Sequence, residues 1–223
     1  MSDDSFIREV EEELRSDRLQ SVWDRFGKII IGVAVAIVLA VVANTAWKSY
    51  VDGQATASGD RFRNALTLAS EGQTDEAMAA LQALQEDGYG EYPILARMRE
   101  ATLLHNSGDA DGAVAAFDAI SNDNGVDVVL RDLAKLRAAY ILVDSGTYGD
   151  VAARAEALAV DTSPMRHGAR EALGLAAYKE QRYGDAQALF SQLTGDQATP
   201  PPMVERANIM LDLIRATGQV DQG

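Results

Sequence analysis

From Ile29 to Ala43 the chain runs through fifteen consecutive apolar residues and glycine, and Ala46 and Trp47 extend the run past Asn44 and Thr45. A core helix of a soluble domain keeps a polar face, and this stretch has none. At about 1.5 Å per residue, Ile29 to Trp47 is roughly 28 Å long, close to the hydrocarbon thickness of a bilayer. The sequence therefore predicts one membrane-spanning helix over 29–47. Trp23 and Phe26 before it, and Trp47 and Tyr50 after it, sit where amphipathic rings favour the two interfaces, and Lys28 and Lys48 bracket it. A cleavable signal peptide is the alternative, since Val41 and Ala43 form a small-residue pattern. Against it, the 28 preceding residues carry eight acids and five bases, whereas a signal peptide opens on a short basic segment. Arg18, Arg25 and Lys28 outnumber Lys48 across the span, which predicts a cytoplasmic N-terminus and a C-terminal part across the membrane, in a bacterium the periplasm.

Charge and composition narrow the function classes. The chain holds 34 acids against 20 Lys and Arg, a formal charge of −14, so it repels polyanions and a general nucleic-acid binder is excluded. The absence of cysteine removes disulfides, thiolate-held zinc or iron-sulfur clusters, thiol nucleophiles and lipidated cysteine. The remaining apolar residues are mainly Ala and Leu, the usual material of packed helices.

Residues 1–28 read as a helical tail. Asp3 and Asp4 suit a helix start and Glu9 and Glu11 to Glu13 suit its positive end. Phe6, Val10 and Leu14 recur every four residues as a candidate docking face for a partner or for the bilayer surface. A charged flank that only sets topology is the competing reading.

After a continuation over 48–57, the sequence repeats. The first-helix positions Ala65, Ala101, Ala139 and Gly174 are each followed by a turn and by a second-helix anchor, Ala77, Ala113, Val151 and Ala186. These anchors stand 36, 38 and 35 residues apart, close to the tetratricopeptide period of about 34. Small residues in the first helix let its partner approach closely. Gly72, Gly108 and Gly146 are expected to end three first helices at positive φ, with Gln181 in that place in the fourth unit. Asp75, Asp111, Asp150 and Asp185 are expected as caps and dipole partners of the second helices. The fold class is thus all-α: a tail helix, one transmembrane helix, and four helical hairpins over 58–199. A proline linker and capping helix follow over 200–217, then a frayed end at 218–223.

This layout resembles the YfgM-like family, ancillary subunits of the SecYEG translocon with a short cytoplasmic tail, one span and a periplasmic tetratricopeptide-like domain. The tail segment from Phe6 to Arg15, with Trp23-Asp24-Arg25-Phe26-Gly27, is similar to the tail of alphaproteobacterial members. The resemblance implies protein partners in the translocon and among periplasmic chaperones such as PpiD. A scaffold for another envelope process, such as cell division or respiratory-complex assembly, has the same physical design, and so does a regulator acting through its tail.

First helices of a repeat array usually line its concave surface, which makes Leu95, Met98, Leu133, Leu136 and Tyr140 candidates for an apolar partner groove; inter-helix core is the competing role. The corresponding positions Phe62, Leu66, Ala172 and Lys179 form no basic ladder, which disfavours a clamp for acidic C-terminal peptides. Catalysis finds no constellation: His105 and His167 lie in different units and read as structural or surface residues. Gly88-Tyr89-Gly90 lacks the Lys and Ser or Thr of a phosphate loop. The acids at Asp109, Asp111 and Asn122 to Asp127 lack the bidentate Glu of a calcium loop. No catalytic, metal or cofactor site is expected.

Overall fold

The computed structural model describes residues 3–219; within the first helix, side chains are described for Trp23 and from Arg25 onward, Ile30 excepted. Among these residues every regular element is helical. Helix α1 spans Asp3–Ser70, α2 Thr74–Asp87, α3 Tyr92–Asn106, α4 Ala110–Ser121, α5 Val128–Ser145 and α6 Tyr148–Ala155. A 3-10 turn at Glu156–Leu158 prolongs α6, and α7 Arg166–Lys179, α8 Tyr183–Gly195 and α9 Pro201–Ala216 complete the chain. Residues Met1–Thr56 and Ala57–Gly223 form two compact units.

In the first unit, α1 carries the tail, the apolar run and its continuation as unbroken helix. Ile31, Val33, Val35, Ile37, Val38, Leu39, Val41 and Val42 are all more than half exposed, so the apolar run is uncovered around its whole circumference. Among the described residues α1 is the one helix long and apolar enough to cross a membrane. The Phe6, Val10 and Leu14 face lies outside the described side chains.

The second unit shows why the repeats need one another. Four core clusters run along it, and each is shared by three successive first and second helices. Ala65 of α1, Ala77, Leu81 and Leu84 of α2, and Ala96 and Leu103 of α3 form the first. The second joins Ala101, Phe117, Ile120 and Ala138 from α3, α4 and α5. The third joins Ala139, Val151, Leu158 and Leu173 from α5, α6 with its 3-10 turn, and α7. The last joins Ala177, Phe190, Leu193 and Ile214 from α7, α8 and α9. A hairpin alone would leave one flank of its second helix bare, and the next first helix covers it. Close approach depends on the predicted small residues: Ala65, Ala101 and Ala139 are fully buried, and a Cβ on Gly174 would stand 2.9 Å from Cζ of Phe190.

Local signals differ from expectation in three places. Gly72 and Gly108 take φ of 80° and 92°, and Gln181 adopts φ 60° in the same role. Gly146 instead is extended at φ −104°; its constraint is steric, since a Cβ there would meet Leu142 Cδ2 at 2.9 Å. The second-helix caps are Asp109, which accepts from the Gly112 N–H at 2.9 Å, and Thr147, which forms a reciprocal capping box with Asp150. Asp75, Asp111 and Asp185 lie in the first turns, where they complement the helix dipole without capping. Finally, α9 begins at Pro201 with Pro201 and Pro202 in its opening positions; a first turn needs no N–H there, so these prolines start the helix instead of forming a linker before it.

Candidate functional site

The charged residues of the second unit are largely committed to joining repeats. Arg154 grips Asp118 with Nε at 2.9 Å and Nη2 at 2.5 Å, tying α6 to α4. Arg97 bonds Asp123 at 2.7 Å. The Arg97 hydrogen bond first, and the Gly125 N–H second, hold the Asp123 carboxyl below its ordinary range. Lys179 donates to the carbonyls of Val143, Asp144 and Gly146, each at 2.8 Å, and so satisfies the open C-terminal end of α5. Arg182 lies over the Tyr148 ring, 3.7 Å from its centroid, across the junction of the third and fourth hairpins.

A second set of charges is buried on α7. Arg170 donates to the Ala159 carbonyl at 3.0 Å and pairs with Asp161, which anchors the loop after the 3-10 turn. Glu171 accepts from the Tyr140 hydroxyl at 2.7 Å and from Arg206 at 2.7 and 3.1 Å, drawing α5, α7 and α9 together. Burial foremost, then the bond to Glu171, push the Tyr140 phenol well above its usual range. At the far end Asp196 accepts from Arg166 and meets His167, both at 2.9 Å. The Arg166 bond, the Ala198 N–H and His167, in that order, hold the Asp196 carboxyl well below its usual range. His167 therefore serves the α7–α8 junction.

The acid-rich loops are spent on local geometry. Asp109 caps α4 and Asp127 caps α5 through the Val129 N–H at 2.8 Å. Among the described residues no group of three or more His, Asp and Glu could hold a metal ion.

A wide, shallow depression of about 810 Å³ lies beside Asp161, Arg166, Arg170 and Asp196, whose charges are paired with one another. A smaller and more enclosed cavity, of about 150 Å³, lies between α3, α4 and α5, lined by Thr102, His105, Phe117, Arg137, Tyr140 and Ile141. Phe117 and Ile141 make a buried apolar floor, and His105 and Arg137 stand exposed at the mouth. The Thr102 hydroxyl is already used, donating to the Met98 carbonyl at 2.9 Å. Of the five groove candidates, Tyr140 lines this cavity. Leu136 belongs to the third core cluster, Met98 packs against the second, and Leu95 and Leu133 are half-buried on α3 and α5. Arg137 and Ile141 were not among the sequence-predicted groove residues, and His105, expected as a structural or surface residue, stands at the mouth. The available signal was spacing: Thr102 and His105 share a face of α3, as Arg137, Tyr140 and Ile141 do on α5.

Residues 20–163, more than half of the chain, match the family of the tetratricopeptide repeat-like domain, and the match runs from before the apolar run to just past the 3-10 turn. No curated protein matches the chain. With four clusters each shared between a hairpin and its successor, and this match over the first three hairpins, the chain belongs to the tetratricopeptide repeat-like domain family.

Proposed function

We propose that this chain is a membrane-anchored scaffold for protein–protein interaction. It crosses the bacterial inner membrane once at residues 29–47, with its tail in the cytoplasm and its helical hairpins in the periplasm. The observation that carries the reading is the contrast within one chain. The apolar side chains of the span are uncovered on all sides, while the hairpin unit buries its own in four shared clusters and leaves no reactive constellation among the described residues. A helix with bare apolar sides is at home in lipid, and a repeat array without chemistry offers surface.

The finer assignment is to the translocon. The YfgM-like resemblance of tail, span and repeats supports a place beside SecYEG and contact with periplasmic chaperones such as PpiD. Photo-crosslinking in living membranes tests it, with the reactive amino acid placed at Leu39 in the span and at His105 on the hairpins. Capture of a SecYEG subunit from Leu39 and of a chaperone from His105 is the expected result. Capture of division or respiratory-assembly proteins would reassign the scaffold, and capture of nothing from either position would remove the scaffold reading.

A further inference from the structure

In the part of the chain after Trp47, 26 acidic residues face 15 basic ones. In such surroundings an arginine without a carboxylate is unexpected, and nine arginines of this unit do sit within ion-pair distance of one. Three do not, Arg99, Arg131 and Arg137, and Arg131 bonds Asn124 instead. Of the three, Arg137 lines the cavity between α3, α4 and α5: among the described residues it has neither ion pair nor side-chain hydrogen bond, and it is exposed at the mouth. Tyr140, on the same cavity wall, has its hydroxyl engaged by Glu171, and that carboxylate is in turn held by Arg206. Glu171 is thereby occupied from two sides, and the Arg137 guanidinium is left for something outside the domain.

Beneath it the cavity is apolar and small. A space of about 150 Å³ over the apolar floor of Phe117 and Ile141 takes a benzene-sized group, which matches a Val, Leu or Ile side chain. We propose that this cavity receives a peptide segment of the partner. An aliphatic side chain of that segment enters over Phe117 and Ile141, and a carboxylate on the adjoining residue pairs with Arg137. The assignment rests on the scaffold reading above and gives the partner its chemistry: an aliphatic residue next to an acid. Arg137 places an attractive charge for an acidic segment beside an apolar floor, and so decides where along the array that segment docks.

The test uses the full chain in lipid nanodiscs and three fluorescein-labelled ten-residue peptides of Ala and Gly, with a central Leu-Asp, Leu-Lys or Ala-Asp pair. By anisotropy, Leu-Asp should bind about three- to tenfold more tightly than either of the others, the scale of one charge-assisted contact or one small apolar group. Arg137→Gln, at an exposed position, should abolish the preference for Asp over Lys and keep the preference for Leu over Ala, with the helical circular dichroism unchanged. Equal binding of Leu-Asp and Leu-Lys to the unaltered chain, or a preference that survives Arg137→Gln, overturns the proposal. Absence of peptide binding alongside successful crosslinking from Leu39 overturns this site and leaves the scaffold standing. A concentration-dependent dimer that blocks the Leu-Asp peptide and dissolves in Arg137→Gln would put a second copy of the chain in the cavity and also overturn it.

Discussion

Nε of Arg206 on α9 lies 2.7 Å from Oε1 of Glu171 on α7, joining a half-exposed guanidinium to a carboxylate that is 7% exposed. The hydrogen bond to Glu171 raises the already high pKa of Arg206. Because the carboxylate is buried, losing the guanidinium leaves it only the Tyr140 hydroxyl. Arg206→Ala should therefore destabilise the hairpin unit by about 1–3 kcal/mol, read from urea unfolding. Arg206→Ala combined with Glu171→Gln should recover part of that loss, since the buried charge is then gone. Equal losses in the single and double variants would show that Glu171 finds water in place of Arg206.

Acid should loosen the α7–α8 junction. The Asp196 carboxyl is held below its ordinary value of 3.8, chiefly by Arg166, so its folded form binds a proton less readily than its unfolded form. The stability it contributes is complete above about pH 4 and is lost as pH falls through the lower folded value. Asp196→Asn should give a shallower decline of melting temperature below pH 4 than the unaltered chain. Identical slopes would place the acid sensitivity elsewhere.

The fourth hairpin packs glycine against an aromatic ring. A Cβ on Gly174 would come within 2.9–3.1 Å of three ring atoms of Phe190, and Phe190 is 1% exposed. In an open helix Gly→Ala is stabilising by about 1 kcal/mol. Here Gly174→Ala should instead destabilise by about 1–3 kcal/mol through overpacking. Phe190→Ala should cost about 3–5 kcal/mol, and the two together less than their sum, because the alanine methyl then enters the space the ring has left.

How far the sequence reaches is shown by these same residues. Gly174 and Phe190 were legible because helix-hairpin packing imposes a fixed spacing, and small and large residues must alternate at it. The apolar helix was legible because its fifteen apolar residues are consecutive in the chain and need no partner element to be recognised. Caps were less so: of four aspartates at matching positions Asp150 alone shares in a cap, reciprocally with Thr147 three residues earlier, while α4 is capped by Asp109, two residues before Asp111. First-turn acids serve the dipole as well as the cap, and sequence alone does not separate the two roles. The cavity was least legible, because it is made where Arg137 and His105, on helices about thirty residues apart, leave space that no single periodicity encodes.

Gln181 offers a direct comparison with glycine in the same turn. It stands at φ 60°, where Gly72 and Gly108 stand at 80° and 92° in the earlier repeats. A side chain in this left-handed region costs about 1 kcal/mol relative to glycine. Gln181→Gly should therefore raise stability by up to about 1 kcal/mol, and Gly108→Ala should lower it by a similar amount. A destabilised Gln181→Gly would mean that the gain in unfolded-chain entropy outweighs the relief of strain.

Leu39 tests the span itself. It is 63% exposed midway along the apolar run. If lipid is its surroundings, an arginine there meets a penalty of about 2.5–3.5 kcal/mol at the helix centre. The neighbouring Val38 and Leu39 together carry enough apolar surface that a double Val38→Arg, Leu39→Arg variant faces roughly twice that cost. The single variant should reduce recovery in alkali-washed membranes, and the double variant should abolish it while its hairpin unit keeps its helical signal. Val38→Leu should have no effect on either readout. A double variant still retained in washed membranes would show that contacts other than this helix hold the chain there.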